Sequence, residues 1–481
     1  MGATIVPLLL VLFPLAMAGG CVALHAPRLV LAVGLATLVV EGMLALSAPL
    51  EQPARLLEVG ISYDRLGRIV LVSTCIGALA ATLAAAVSEH SRYFVATELL
   101  IVSCSAAMCI ADEPLLLTGL LLLGGLAGGV QLADRPSGSI ELIRPRRLAI
   151  ALRYTVLIAL GGLVMLLGAT VLGTRLTTTG AVLQRLVFGL LVFGYAVRSG
   201  LVPFHSWVPE IADDAPPSTA ALHAGVLAVL ALPVLLSALQ AQPELLASNA
   251  AASRLLIGLG TISALAGGAL GARASAGRSL AYLAIANLGL LTIGVGIGSS
   301  TGLGAALLGM MGHVLGIALT ALGLALLSRS PGRRREAKQR GRWPGALALL
   351  VGVLLVAGLP PFAGFASKLL LLAAAWQYGA LVAGLVVAGI TAQALAAGRL
   401  LSNAMRPQPA ASMYPADEEP TALPSRPEPA PLGAAGNAGP SRVLLGLTML
   451  LSLAAAVAGV WQLPLTAEVD RAVGSFSFTR E

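Results

Sequence analysis

A chain of 481 residues with 57% apolar and only 11% charged side chains lacks the charge that soluble domains need at their surfaces, about 25% of residues. Its mean hydropathy of +0.90 and its recurrent apolar runs exclude a soluble enzyme, a disordered chain and a disulfide-stapled secreted module. They leave an all-α polytopic membrane protein. The formal charge of +8 does not build the basic face that a nucleic-acid reader requires, because the Lys and Arg residues sit in short loops between apolar spans.

A crossing needs about 20 apolar residues. In chain order the spans are predicted at 4–24, 29–48, 69–87, 94–111, 114–132, 154–174, 182–200, 218–238, 255–272, 280–298, 302–327, 344–377, 380–400 and 442–463, fourteen in all. The first run is followed directly by another, which reads as a retained helix and not a cleaved signal. Cys21, Cys75, Cys104 and Cys109 lie inside apolar stretches without ligand spacing, so no metal or iron–sulfur site is expected. Glu98 is near the start of the fourth span. Asp112 and Glu113 precede Pro114 and are placed to cap the fifth, where carboxylates favour a helix N-terminus.

The seventh span ends at Arg198 and runs into Leu201-Val202-Pro203-Phe204, followed by His205, Trp207 and Pro209 in a turn. His223 and His313 fall in the middle of the eighth and eleventh spans. The twelfth is too long for one straight crossing and contains Gly358-Leu359-Pro360-Pro361, where proline removes a donor and clashes with the preceding turn. Lys368 follows that break. The tetrads at Pro203 and Pro361 echo one another, and interrupted segments in corresponding positions of two halves point to a transport path. A stretch at 401–441, rich in Pro, Ala and Glu, is read as a flexible cytoplasmic linker, with 442–481 a final helix and tail.

Loops after odd-numbered spans hold most of the Lys and Arg, notably Arg135, Arg144, Arg146, Arg147 and Arg153, and the run Arg333, Arg334, Arg335. Basic loops stay cytoplasmic, so both termini are expected on the opposite side of a cell inner membrane. Ionisable groups at membrane depth are costly unless paired or wetted. Lys368, His223 and His313 can exchange protons there, with histidines bonded to a neighbouring helix as the alternative for the last two. Arg198 reads either as a path residue or as an end-of-helix arginine reaching for the interface. Glu98 reads as a relay or as a headgroup-level carboxylate.

Four stretches carry a specific resemblance: RSGLVPFHSWVPEIADDAPPSTAALHAG, GRSLAYLAIANLGLL, GMMGHVLGIALTALG and VAGLPPFAGFASKLLLL. In order and spacing the chain resembles the antiporter-like proton-channel subunits of respiratory complex I, membrane-bound hydrogenases and multisubunit cation/proton antiporters. At the helix 8 histidine and the Ser-Lys of helix 12 it looks nearest the largest complex I channel subunit. The resemblance implies two inverted five-helix repeats, here roughly 94–238 and 255–400 within a domain of residues 1–400, and broken helices 7 and 12. It implies a proton path whose helix 12 lysine is Lys368, whose helix 8 histidine is His223 and whose central histidine is His313. It also shows departures: Arg198 stands for a lysine, Leu122 for its glutamate partner, and Ile317 for a lysine one turn beyond His313.

Two functions compete on these residues. One is a proton- or cation-translocating membrane subunit of a complex I-like or hydrogenase-like redox assembly, without a cofactor of its own. The other is a scaffold of the same fold that has ceased to conduct. Lys368, His223, His313 and both breaks favour the first; Arg198, Leu122 and Ile317 favour the second. A standalone solute carrier or an enzyme with its own redox centre ranks third, since there is no haem-ligating pair or dinucleotide fingerprint. Glu98 is the expected counter-charge of Arg198, with a cage of carbonyls as the alternative. Ordered water is expected to bridge His313 and Lys368.

Overall fold

The computed structural model describes residues 2–56, 59–88, 90–91, 93–134, 145–173, 180–247, 249–328, 335–406, 442–460 and 463–479. Arg135, Arg144, Arg333, Arg334 and most of the 401–441 linker lie outside them. The chain opens with α1 (Gly2–Ala23) and α2 (Pro27–Ser47), then a hairpin of β1 (Ala54–Leu56) and β2 (Val59–Ile61) paired antiparallel. Next come α3 (Arg65–Ala85), α4 (Phe94–Ile110), α5 (Pro114–Ala133), α6 (Pro145–Gly173) and α7 (Ala181–Arg198). Short α8 (Trp207–Asp214) and α9 (Pro217–Ala220) lead into a π-helix, Ala221–Leu227, continued by α10 (Ala231–Ala241). After α11 (Glu244–Ala247) follow α12 (Ala250–Gly271), α13 (Ala276–Ile297), α14 (Ser300–Leu327), α15 (Arg335–Ala357), α16 (Ala363–Tyr378) and α17 (Ala380–Met405). The chain closes with α18 (Arg442–Val460) and α19 (Leu463–Val473).

Each of the fourteen apolar segments contains helix, and the molecule is a multi-pass membrane protein. By length and composition, ten of the described helices can cross a membrane; Phe94–Ile110, Arg342–Ala357 and Arg442–Val457 are apolar but shorter. The final helix of the main domain runs to Met405, so residues 401–405 are helix and not linker. They continue the helix whose Ala396, Ala397 and Leu400 are buried, and Asn403 Nδ2 ties its end to the bundle by donating to Ala274 O at 3.0 Å.

Two halves, α4 to α10 and α12 to α17, each contain one break. The breaks share a backbone solution. Gly200 and Gly358 adopt φ +64 and +73, a left-handed conformation that glycine adopts without the Cβ penalty. Leu201 N then bonds Ala196 O at 2.9 Å, and Leu359 N bonds Leu354 O at 3.1 Å. Val202-Pro203 and Pro360-Pro361 are both cis. Backbone freed by a break at membrane depth must find protein partners or line a wet cavity. Here Val202 N donates to Ser263 Oγ at 3.1 Å, Trp207 Nε1 to Val197 O at 3.3 Å, and Gln393 Nε2 to Val356 O at 3.2 Å.

Small residues let neighbouring helices of the second half pack backbone to backbone. A Cβ on Gly260 would lie 2.5 Å from Gly289 O, and one on Gly352 would lie 2.6 Å from Gly316 O. At one rim, Arg146 and Arg153 of α6 pair with Asp214 and Glu210 of α8, and Arg278 of α13 pairs with Asp213. At the other, Arg65 pairs with Glu51 and Glu468, and Ser477 N donates to Gln240 Oε1 at 2.9 Å. Asp64 caps α3 by accepting from Gly67 N at 2.6 Å; burial raises its carboxyl above the ordinary value and the cap bond opposes the rise. Asp112 and Glu113 do not cap α5. Glu113 makes no side-chain cap bond, and Asp112 instead accepts from Ser62 beside the hairpin, because the hairpin end reaches over this turn.

Candidate functional site

Among the described residues, a line of buried polar side chains crosses the middle of the fold. In the first half, Arg198 ends α7 and is 1% exposed, a depth at which a guanidinium needs oxygen acceptors. Its Nη2 donates to Leu121 O at 3.1 Å, while Nε and Nη1 have no hydrogen-bond partner among the described residues. The head lies over Gly125 of α5, where an added Cβ would overlap Nη1, and the Tyr154 phenol lies beside it. The glycines of LLLLGGLAGG therefore make the room that the arginine fills.

Glu98 is not the partner of Arg198. It is fully buried in α4, accepts from Thr82 Oγ1 of α3 at 2.5 Å, and its other oxygen has no partner among the described residues. Helix α4 turns this carboxylate towards α3, whereas the Arg198 side chain reaches α5 at Leu121 and Gly125, so the two groups belong to different interfaces. A backbone carbonyl takes the place of the expected carboxylate.

His223 lies in the π-helix, a local widening that occurs mostly at functional positions. Its Nδ1 faces Thr219 O at 2.9 Å and its Nε2 faces Gly128 O at 3.2 Å. Both partners are acceptors, and a neutral imidazole has one N–H, so the imidazolium alone can donate to both. Tyr154 stacks edge-on against the ring at 5.0 Å. A cavity of about 30 Å³, lined by Ser91, Gln131, Asp134, Arg147, Asp214 and Thr219, lies beside α9 at the Arg146–Asp214 rim and has room for about one water.

The π-helix also ties the halves together. Ala228 N reaches back five residues to His223 O, and Val229 N bonds Val226 O. The carbonyl of Ala224, within this altered register, lies 2.9 Å from Nε2 of His313 in α14. The other ring nitrogen of His313 is 3.2 Å from Asn287 Nδ2 of α13. Asn287 Oδ1 in turn accepts from Lys368 Nζ at 2.5 Å and from Gln393 Nε2 at 3.1 Å. Lys368 is 5% exposed, and its stem passes over Gly358, where a Cβ would meet Lys368 Cγ at 2.5 Å. The second break thus shapes the lysine's course directly.

This is a correction to the expectation of water between His313 and Lys368: one amide spans them. Asn287 stands in the quoted run GRSLAYLAIANLGLL, and Gln393 in a span otherwise made, up to Arg399 at its end, of small and aliphatic residues. Neither ionises, so a search for titratable groups passes over both. A polar amide in an otherwise apolar span was the signal available. Ile317, buried on α14, packs against Gly225 of the π-helix and closes apolar the position one turn beyond His313. His205 lies at the first break with its ring 6.2 Å from that of Tyr282.

Residues 143–395 match the family described as NADH:quinone oxidoreductase/Mrp antiporter, TM. The chain belongs to that family. NADH-quinone oxidoreductase subunit 14 of Thermus thermophilus is 34% identical over 263 residues, which are 52% of this chain and 58% of that protein. A hydrogenase-4 component F homolog of Methylacidiphilum infernorum is 29% identical over 211 residues, 42% of this chain and 44% of that one. The chain thus spans less than two thirds of the curated relatives it matches. A chain of the Mrp complex from Dietzia sp. DQ12-45-1b superposes with a TM-score of 0.80 at 19% identity, covering 98% of each. One of Thermus thermophilus respiratory complex I gives 0.75 at 19%, again covering 98% of each. The fold shared with these structures extends over nearly the whole chain, although sequence similarity covers about half.

Proposed function

We propose that this antiporter-family chain is a membrane subunit of a complex I-related ion-pumping assembly, seated among other membrane subunits in the cell inner membrane, and that it contributes a proton or cation path through Lys368 and His313. The observation that carries this reading is the continuous bonded series Lys368–Asn287–His313–Ala224 O beside the second helix break. A lysine buried without a carboxylate partner among the described residues, yet held by a neutral amide, can exist in either protonation state. A structural lysine would be better served by a fixed carboxylate.

A second reading has its own support. In the first half, Arg198 keeps its proton at any physiological pH and bonds to backbone. Leu122 and Ile317 hold no proton, and among the described residues the ring nitrogens of His223 face peptide carbonyls, which are not proton carriers. These features favour a path confined to the second half, and in the limit a scaffold that does not conduct.

The deciding experiment replaces Lys368 by Met in the assembled complex, which keeps the side-chain volume and removes the titrating head. Proton uptake into sealed vesicles is expected to fall at least about a hundredfold, the lower range for loss of a general acid–base group, with assembly intact. Uptake at the parent rate, with assembly verified, establishes the scaffold reading.

A further inference from the structure

We propose that Asn287 makes the charges on Lys368 and His313 mutually exclusive by turning its amide over, with Gln393 as the catch that sets its resting orientation; this rests on the transport reading above. An amide has one accepting oxygen and one donating nitrogen on opposite sides. In the structure the oxygen faces Lys368 Nζ and the nitrogen faces His313 Nδ1. That orientation suits an ammonium, which only donates, and a neutral imidazole whose Nδ1 accepts while its Nε2–H donates to Ala224 O.

A second proton on His313 must go to Nδ1, the nitrogen that now accepts. Two donors then face each other unless Asn287 turns over and offers its oxygen. Turned over, it offers Nδ2 to Lys368, and only a neutral amine has a lone pair to accept it. The two satisfied arrangements are therefore charged lysine with neutral histidine, and neutral lysine with charged histidine. In passing between them Lys368 Nζ gives one proton to water and His313 Nδ1 takes one from water. No proton passes through the amide, and the pair keeps the same net charge.

Gln393 biases the choice. Its Nε2 donates to both Asn287 Oδ1 and Val356 O, the carbonyl freed at the second break. Turning Asn287 sets its nitrogen against that donor, so Gln393 must follow, present its otherwise unpartnered Oε1 to Nδ2, and release Val356 O. The second state gives up a bond at the helix break, so the pair rests with the charge on Lys368. The hydrogen bonds of these four side chains run within the group, to Ala224 O or to Val356 O, and among the described residues no carboxylate intervenes.

The test uses the full chain in lipid nanodiscs with 15N-labelled histidine, the His313 signal being assigned by its loss in His313→Gln. Its titration midpoint is measured in the parent, Lys368→Met, Asn287→Leu and the double variant. In the parent background, Lys368→Met is expected to raise the midpoint by about one pH unit or more, the scale of strongly coupled sites. With Asn287→Leu the same change is expected to shrink to less than about half. Gln393→Leu is expected to raise the midpoint without touching either titrating residue. Asn287→Ala replaces the leucine variant if the latter fails to accumulate as a monodisperse protein. Equal shifts in both backgrounds would show that the charges interact through space and overturn the amide's role, and so would the absence of any shift. Vesicle uptake at the parent rate in Lys368→Met, with the coupling still present, would overturn the transport reading and leave the exclusive pair standing.

Discussion

Arg198 precedes the first break and Lys368 follows the second, and they solve burial differently. The lysine is held by an amide that can reverse its polarity, whereas the arginine donates to a backbone carbonyl that cannot. If the first half requires only fixed positive charge, Arg198→Lys should retain more of the parent translocation rate than Arg198→Leu at equal assembly, measured in the same vesicles. Equal losses would assign the requirement to the guanidinium's shape. Gly125 supplies an independent probe. A methyl group there overlaps Nη1 and falls 2.6 Å from Ile158 Cγ2, so Gly125→Ala is expected to destabilise by about 1–3 kcal/mol, the usual cost of overpacking. Thermal unfolding of the purified chain would show it, and an unchanged midpoint would mean that the arginine has free room to move.

At the scale of elements, the paired breaks are built from the same parts, and they can be perturbed separately. Ala at either glycine incurs about 1–2 kcal/mol for the left-handed backbone and a contact at 2.5 Å, with Val208 Cγ2 at Gly200 and with Lys368 Cγ at Gly358. Both variants should lose stability by similar amounts in thermal unfolding. Only Gly358→Ala displaces the lysine stem, so it should lower translocation beyond what its stability loss explains. Equal translocation in the two variants, corrected for the amount of assembled protein, would detach the second break from the path. The breaks themselves were legible in the sequence, because Gly-Leu-x-Pro inside an apolar run has no continuous-helix solution. The π-helix at Ala221–Leu227 was not legible: apart from Gly225 its residues are ones ordinary α-helices carry, and the widened register is one that packing against α14 and α3 supports.

For the whole molecule, the arrangement of charge at the two rims bears on orientation. Arg146, Arg153 and Arg278 share one rim with the exposed Ser275, while Ser477 lies at the other beside Gln240. All four native cysteines are buried, so single cysteines can be introduced against a low background. A membrane-impermeant maleimide added to intact cells should label Ser477→Cys and should label Ser275→Cys only after lysis. The reverse pattern would invert the topology expected from the basic loops. Individual rim ion pairs contribute little to stability, about 0–1 kcal/mol each. Their removal is expected to leave the fold intact.

The amino-acid sequence alone determined that the chain is a helical membrane protein, where its helices run, where two of them break, and that Arg198, His223, His313 and Lys368 stand in or beside apolar runs. Those properties follow from apolar run length, from the missing donor of proline and from the rarity of charge in apolar spans, all of which are local. Tertiary structure decided the partners. It set Leu121 O beside Arg198, Thr82 beside Glu98, and Asn287 between His313 and Lys368, residues brought together from 26 and 81 positions apart. A neutral amide in an apolar run has no chemistry of its own to announce. It acquires a role when packing points its oxygen at one ionisable group and its nitrogen at another, and only the folded chain sets those directions.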